Sequence, residues 1–266
     1  MANRLFSSHQ LLYLALGLLL ANCAYAQVSQ PLRTTLDAVG YSGQLSAGLA
    51  DAQALVLRGT WDFEDGNVLR LEALEETKFS RRGGVAGVGF VKAVSPDWSV
   101  AANLALGHGG INWASTRVDI EASAKWDEAR NIVTRAGVYH AQYEGDRSDR
   151  GLRLALVDYL PNALVLEAGV ILNVSEPGAV HSQMPFISAT LGQEGRHYVT
   201  LRLSSGSEAY QAVDVDRQLV DFDSQTLNLA WRAWVNRQWG VIVQAEHYRN
   251  PSYERNTLGA GLFRQW

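Results

Sequence analysis

Hydrophobic and polar positions alternate without interruption over residues 117–127. The apolar positions are Val118, Ile120, Ala122, Ala124 and Trp126, with polar or charged residues between them. Successive side chains of a strand point to opposite faces, so this segment predicts a strand with one apolar face and one charged face. Its length of about ten residues is also what a tilted strand needs to cross a bilayer.

The same alternation recurs along most of the chain, in segments that turn-forming residues separate. Leu164 and Leu166 begin the apolar face of a second clear segment, and Leu227 and Leu229 begin that of a third. No segment in the body of the chain repeats with the period of an amphipathic helix. We therefore predict an all-β fold, a transmembrane antiparallel up-and-down β-barrel of about 14 strands, with 12 as the alternative.

The connections between these segments alternate in length, which is typical of outer-membrane barrels with tight periplasmic turns and longer external loops. Short connections begin at Glu64, Ser95, Asp127, Pro161, Gln193 and Arg237. Long connections begin at Ser80, His108, Glu144, Ser175, Ser205 and Arg249. This parity predicts that the N- and C-termini are both periplasmic.

Aromatic residues cluster near the predicted strand ends, which indicates two girdles at the membrane interfaces. Beside the short turns stand Phe63, Trp98, Trp126, Tyr159, Trp239 and Trp266. Near the long loops stand Trp113, Tyr143, Tyr210, Tyr248 and Tyr253. The terminal Trp266 in an amphipathic strand predicts recognition by the barrel-assembly machinery, and we expect Arg264 to extend its guanidinium to the headgroups.

The N-terminus has the features of a secretory signal peptide. Arg4 precedes the apolar run Leu11–Leu20, and the small-residue site Ala24-Tyr25-Ala26 follows it. We predict cleavage of residues 1–26 and a barrel formed by residues 27–266. An uncleaved anchor helix, or a lipid on Cys23, is the alternative. Export places the barrel in the bacterial outer membrane, with membrane lipids and lipopolysaccharide as its neighbours.

The charged residues of the alternating segments would line the interior of such a barrel. They are Arg70, Glu72, Arg117, Asp119, Glu121, Lys125, Arg135, Arg153, Glu167, Arg202, Arg232 and Glu246. Two interpretations stay open: a wet, charge-lined conduit for a hydrophilic solute, or a lumen that salt bridges fill. Fourteen strands lie between the filled small barrels and the porins of roughly 16–18 strands, so the strand count does not decide.

The longest polar segment, Ser205 to Ser224, is predicted to be an external acidic loop. It carries Asp214, Asp216, Asp221 and Asp223, but it lacks the glycine and the glutamate of a twelve-residue calcium loop. We therefore predict no metal and no cofactor, with loose divalent bridging to lipopolysaccharide as the alternative. The formal net charge of −4 makes the chain a poor candidate for nucleic-acid binding, which needs a basic face, so no nucleic-acid partner is expected.

Nothing in the sequence favours an enzyme. His181 and Ser182 are adjacent, but neighbours in an extended chain point apart and cannot form a nucleophile–base pair. No nucleophile elbow, zinc-protease helix or phosphate loop is present. A lipid-modifying enzyme that uses His140 or His247 is the third hypothesis.

The segment from Ser204 to Tyr210 resembles a Ser-x-Gly-x-x-Ala-Tyr stretch of the YaiO family of outer-membrane β-barrel proteins. The resemblance extends over nearly the whole mature chain through strand order and length. It implies a link to surface polysaccharide and carries over no catalytic residue. The leading hypothesis is therefore a conduit or accessory barrel for a hydrophilic envelope substrate such as surface polysaccharide. A non-conducting barrel that binds a partner through its external loops is the alternative.

Overall fold

The computed structural model describes residues 31–213 and 217–266, and this part of the chain forms 14 strands. The strands are β1 (Pro31–Leu45), β2 (Ala52–Phe63), β3 (Val68–Lys78), β4 (Arg81–Ala93), β5 (Trp98–His108), β6 (Thr116–Lys125) and β7 (Ile132–Gln142). They continue with β8 (Ser148–Leu160), β9 (Leu164–Glu176), β10 (Val180–Gln193), β11 (His197–Ala212), β12 (Gln218–Trp234), β13 (Trp239–Arg249) and β14 (Glu254–Gln265). Within the described ranges, no helix is long and apolar enough to cross a membrane.

Each strand pairs antiparallel with its neighbours in the chain, and β1 pairs with β14 to close the sheet. The closing register runs from Thr35 opposite Gln265 to Leu45 opposite Arg255. Closure satisfies the backbone groups that an open edge would leave unpaired in hydrocarbon, at a cost of several kcal/mol each. The predicted barrel of 14 strands is confirmed and the 12-strand alternative is wrong. The predicted signal peptide, residues 1–26, lies outside the described residues.

Because the number of strands is even, the start of β1 and the end of β14 lie at the same end of the barrel. We call this end the termini rim; it also carries the turns that follow the even-numbered strands β2 to β12. The opposite end, with the turns that follow the odd-numbered strands, is the distal rim.

The outer face is apolar, and no second layer of the described chain covers it. Val118 and Ile120 on β6 are 42% and 52% exposed, and Leu166 on β9 is 41% exposed. An apolar surface of this extent belongs against another apolar phase, which for a closed barrel is the lipid. The predicted alternation of an outward apolar face and an inward polar face is therefore confirmed.

The predicted alternation of short and long connections is wrong. The turn between β3 and β4 consists only of Phe79 and Ser80, and the strand pairing of β11 with β12 continues out to Ala212 and Gln218. Asp221 and Asp223 therefore lie on strand β12 and not in a loop, whereas Asp214 and Asp216 lie outside the described residues. Backbone pairing does not require alternating side chains, so polar hairpin ends can resemble loops in the sequence.

One predicted aromatic girdle is confirmed and the other is wrong. Trp98 and Trp126 are exposed at the termini rim and contact each other with ring centroids 6.1 Å apart. Arg264 lies at the same rim, its guanidinium 5.3 Å from the ring of Trp239 and 5.1 Å from that of Trp266. At the distal rim, by contrast, Trp113, Tyr248 and Tyr253 are buried rather than lipid-facing. Turns that fold over the mouth enclose these rings.

Candidate functional site in the barrel interior

Ion pairs between strands that are not neighbours identify the side chains of the interior. Arg232 on β12 donates to both carboxylate oxygens of Asp37 on β1, at 2.8 and 3.0 Å. Two strands separate β12 from β1 in the sheet, so the contact crosses the lumen side of the wall. Arg202 on β11 and Glu167 on β9 likewise approach to 3.9 Å across the intervening β10.

Three arginines share one carboxylate on the wall formed by β6 to β11, which we call the arginine wall. Glu167 lies 3.2 Å from Arg153, 3.6 Å from Arg135 and 3.9 Å from Arg202. Arg135 also makes two hydrogen bonds to Glu121, at 2.7 and 2.9 Å. Such charge-assisted bonds hold the guanidinium groups in fixed orientations.

Several interior guanidinium groups lie over aromatic rings in cation–π contacts. Arg202 lies 3.7 Å from the ring centroid of Phe186, and Arg117 lies 4.3 Å from that of Tyr139. Arg232 stacks in the same way on Phe263, at 3.8 Å. A cation over an aromatic face gains roughly 0.5–2 kcal/mol, and the stacking also restricts the rotamers of the long side chain.

Each supporting ring covers a glycine directly opposite it on the next strand. Phe186 pairs with Gly169, and Tyr139 pairs with Gly151. A Cβ atom at Gly169 would lie 2.6 Å from the Phe186 ring and 2.4 Å from the carbonyl oxygen of Leu154. Glycine is thus required there for the ring to lie flat on the wall, an arrangement that also stabilises glycine-containing sheets.

The inner faces of β4 and β5 form a second wall, which we call the bare wall. Its side chains are small or short: Val85, Gly87, Gly89, Val91, Ser99, Ala101, Asn103, Ala105 and Gly107. Against it lies a cavity of about 270 Å³ lined by Arg58, Arg70 and Glu72. A second cavity of about 220 Å³ continues towards the distal rim, where Glu246 and Arg255 line it.

The charged side chains beside the first cavity are accessible to water. Arg58 and Glu72 form an ion pair at 2.6 Å, yet their side chains remain 39% and 54% exposed. On the arginine wall the corresponding value for Glu167 is only 19%. The interior is therefore filled on one side and wet on the other.

An apolar cluster narrows the lumen at the distal rim. Phe79, Val213, Tyr248 and Tyr253 pack together, and we call these four residues the distal closure. They come from three hairpins: Phe79 from β3–β4, Val213 from β11–β12, and Tyr248 and Tyr253 from β13–β14. The rings of Phe79 and Tyr253 meet edge to face, with centroids 5.6 Å apart. Burial raises the pKa of Tyr253 to about 12.

Local backbone geometry holds Phe79 in the distal closure. Phe79 and Ser80 both have positive φ values, 53° and 59°, as the two central residues of a tight hairpin turn. Positive φ is unfavourable for residues other than glycine, and packing of the ring compensates for it here. On the other side of the mouth, Arg147 donates to the carbonyl oxygens of Ile111 at 3.1 Å and Tyr210 at 3.4 Å.

Most of the predicted lumen residues are found in these contacts. Arg117 pairs with Asp119 at 2.7 Å, and Glu246 pairs with Arg255 at 2.7 Å. Lys125 differs, because it lies at the termini rim and its Nζ donates to the carbonyl oxygen of Pro96 at 3.3 Å. Glu121, Arg135, Arg153, Glu167, Arg202 and Arg232 belong to the pairs described above, and Arg70 and Glu72 line the first cavity.

The predicted set did not include several interior residues, among them Asp37, Arg58 and Arg255. The signal for two of them was present in the sequence. Asp37 stands between Leu36 and Ala38, and Arg58 directly follows Leu57, so both occupy inward positions of an alternating strand. Among the described residues, no group of three or more His, Cys, Asp or Glu side chains could hold a metal ion.

The profile of the YaiO membrane beta barrel domain matches residues 37–211, about two thirds of the chain. The chain belongs to this family. The match runs from β1 to the end of β11 and so includes the whole arginine wall and the bare wall. No curated protein is similar enough to this sequence to be matched.

Solved structures with the same fold are outer-membrane barrels. A bacterial polysaccharide outer membrane secretin has a TM-score of 0.57 at 10% identity, and the match covers 88% of this chain and 97% of that one. A loop-deleted form of OmpT from Vibrio cholerae has a TM-score of 0.52 at 8% identity, with 88% and 98% covered. OccK3 (OpdO) of Pseudomonas aeruginosa has a TM-score of 0.51 at 11% identity, with 88% and 95% covered. This chain is thus an outer-membrane β-barrel of porin-like architecture.

Proposed function

We propose that this YaiO-family barrel is a conduit for a hydrophilic solute, and that the distal closure restricts passage at its distal end. The observation that supports the proposal is the unequal filling of the lumen. A barrel with a purely structural role has no need of a bare wall, whereas a path for a solute requires one. The two cavities and the exposed Arg58–Glu72 pair mark that path.

Surface polysaccharide is the substrate class that we propose. The bare wall and its surroundings offer hydroxyl and amide groups, such as Thr60 and Asn103, that can exchange hydrogen bonds with sugar hydroxyls. The family resemblance and the similarity in fold to a polysaccharide secretin point to the same class. We further propose that the termini rim faces the periplasm, that the cleaved N-terminal segment directs export, and that lipopolysaccharide surrounds the distal rim.

Conductance in planar bilayers tests the conduit directly. Phe79→Ala removes a ring from the distal closure, so it should raise single-channel conductance above that of the wild type. Phe90→Ala is the matched control, because Phe90 is 43% exposed on the outer face of β4. If the wild type and Phe79→Ala are both silent, the conduit is wrong and a non-conducting barrel that binds a partner at its distal rim takes its place.

The position of the path can be tested on a single strand. Gly87 faces the lumen, and a Cβ atom there would meet nothing closer than 3.4 Å. Gly87→Trp should therefore be tolerated and should reduce the conductance of the Phe79→Ala barrel at least severalfold. Val88→Trp, one residue further on the outer face, should leave it unchanged. Equal conductance in the two tryptophan variants would contradict a path along the bare wall.

An assay of lipid hydrolysis tests the enzyme hypothesis. We expect purified wild-type protein to release no fatty acid or headgroup from outer-membrane lipids. Release that disappears on substitution of His140 or His247 would contradict the conduit as the sole function.

A further inference from the structure

We propose that Arg202, supported by Phe186 and beside Arg153, is a binding subsite for an anionic group, a carboxylate or a phosphate, on a solute in the lumen. The inference deepens the proposed function and rests on it only for the route by which the solute arrives. Three observations support it: the local charge count, the hydrogen bonding of Arg202, and the residues that flank it.

The charges of the ion-pair network around Arg202 do not balance. Arg135, Arg153 and Arg202 are linked through only two carboxylates, those of Glu121 and Glu167, while Arg117 and Asp119 form a separate pair. Asp119 is engaged by Arg117 and Glu121 by Arg135, each through short hydrogen bonds. Glu167 is then left for both Arg153 and Arg202, so one guanidinium group exceeds the number of acids.

Arg202 is the cation in excess. Its nearest carboxylate oxygen, Oε2 of Glu167, is 3.9 Å away, beyond hydrogen-bonding distance. Within the part of the chain that the structure describes, its guanidinium makes no hydrogen bond. The Phe186 ring, 3.7 Å from the guanidinium carbon, nevertheless holds the group in position by a cation–π contact, and 30% of the side chain remains exposed.

Arg232 lies over an aromatic ring as Arg202 does, but its guanidinium is hydrogen-bonded to a carboxylate. The ring is that of Phe263, at 3.8 Å, and the guanidinium donates to both carboxylate oxygens of Asp37. The fork of a guanidinium matches a carboxylate or phosphate through two parallel bonds. Arg202 also lies over an aromatic ring, but its guanidinium is not engaged by a carboxylate in this way. The one carboxylate near it in the described chain, that of Glu167, is shared with Arg153 and Arg135.

The neighbours of Arg202 are suited to a sugar. Ser188 on β10 and Asn228 on β12 pair with Arg202 across the sheet and therefore share its inward face. Both carry neutral hydrogen-bonding groups, and neither competes for the guanidinium with a charge. An acidic saccharide could place its carboxylate on Arg202 and its hydroxyls on these two residues, so a uronate is the ligand class that fits best.

Titration calorimetry on the full-length barrel in detergent tests the subsite with three probes: glucuronate, inorganic phosphate and glucose. We expect saturable binding of glucuronate and no binding of glucose. Weaker binding of phosphate than of glucuronate would identify an acidic sugar as the ligand, and equal binding would identify a site for free oxyanions. Phe79→Ala is titrated in parallel, so that the distal closure cannot hide the site.

Two substitutions at Arg202 and one control give the expected pattern. Arg202→Gln should weaken glucuronate binding at least tenfold, and Arg202→Lys should weaken it severalfold because a lysine keeps the charge but loses the fork and the stacking. Arg264→Gln, at the termini rim between two tryptophans, should bind like the wild type. Heat-dependent gel mobility shows that each variant is folded.

Absence of saturable glucuronate and phosphate binding in both the wild type and Phe79→Ala would overturn the inference, as would equal binding by Arg202→Gln. Conductance separates this outcome from failure of the conduit. A barrel that conducts but binds neither anion keeps the proposed function and loses the subsite. A silent barrel that binds glucuronate through Arg202 keeps the subsite and loses the conduit.

Discussion

The arginine wall and the bare wall are built from the same kind of strand, yet they fill the lumen in opposite ways. On β6 to β11, long cations lie over aromatic rings, and the rings lie over glycines. On β4 and β5, the inward residues from Val85 to Val91 and from Ser99 to Gly107 carry only short side chains. The comparison shows that the side chains on each wall, rather than the number of strands, determine which side of the interior is open to water.

Glycine has a different purpose on each wall. Gly169 makes room for the flat Phe186 ring, whereas Gly87 faces a cavity and leaves it open. The same residue type therefore supports dense packing on one side and empty space on the other. Replacing each glycine by alanine distinguishes the two roles, because the added methyl group clashes at Gly169 and meets nothing closer than 3.4 Å at Gly87.

The largest effect that we expect is that of Gly169→Ala. The added Cβ would lie 2.4 Å from a backbone oxygen and 2.6 Å from the Phe186 ring, so both must move. We expect the free energy of unfolding to fall by about 3 kcal/mol, the upper part of the range for overpacking. Gly87→Ala on the bare wall should change it by less than about 0.5 kcal/mol. Urea unfolding in detergent, followed by tryptophan fluorescence, measures both; equal losses would contradict the contrast.

A smaller loss is expected from Glu167→Gln, which leaves three arginines without their shared carboxylate. Breaking a fully buried ion pair costs about 3–5 kcal/mol. The arginines here retain about a third of their exposure. We therefore expect about 2 kcal/mol in the same unfolding measurement, because water screens part of the repulsion.

Glu72→Gln is the control on the wet side of the lumen. Glu72 also pairs with an arginine, at 2.6 Å, but it is 54% exposed, so the loss should stay within about 0.5 kcal/mol. A loss as large as that of Glu167→Gln would mean that the two sides of the lumen do not differ in polarity.

The smallest effect is that of a single hydroxyl. The Tyr139 hydroxyl donates to Oδ1 of Asn173 at 2.8 Å, and Tyr139→Phe removes this bond while keeping the ring over Gly151 and under Arg117. We expect the free energy of unfolding to fall by about 1 kcal/mol. Ser99→Ala on the bare wall should be neutral within about 0.5 kcal/mol. A neutral Tyr139→Phe would indicate that the ring alone organises the arginine wall.

The distal rim shows where reasoning from the sequence was insufficient. Aromatic residues near strand ends usually indicate an interface girdle, and at the termini rim Trp98, Trp126, Trp239 and Trp266 follow this rule. Tyr248 and Tyr253 have the same kind of sequence context but are buried in the distal closure. The difference arises because the distal turns fold inward, and contacts between turns far apart in the chain leave no local signature.

The alternation of apolar and polar positions by itself determined the closed barrel, its outward apolar face and the inward direction of most charges, because a strand has a period of two and lipid tolerates no open edge. Only the tertiary structure decided which charges meet. Barrel curvature and strand register set the distances between side chains across the lumen. These distances decide that Arg232 pairs with Asp37, that three arginines share Glu167, and that a cavity remains beside Gly87.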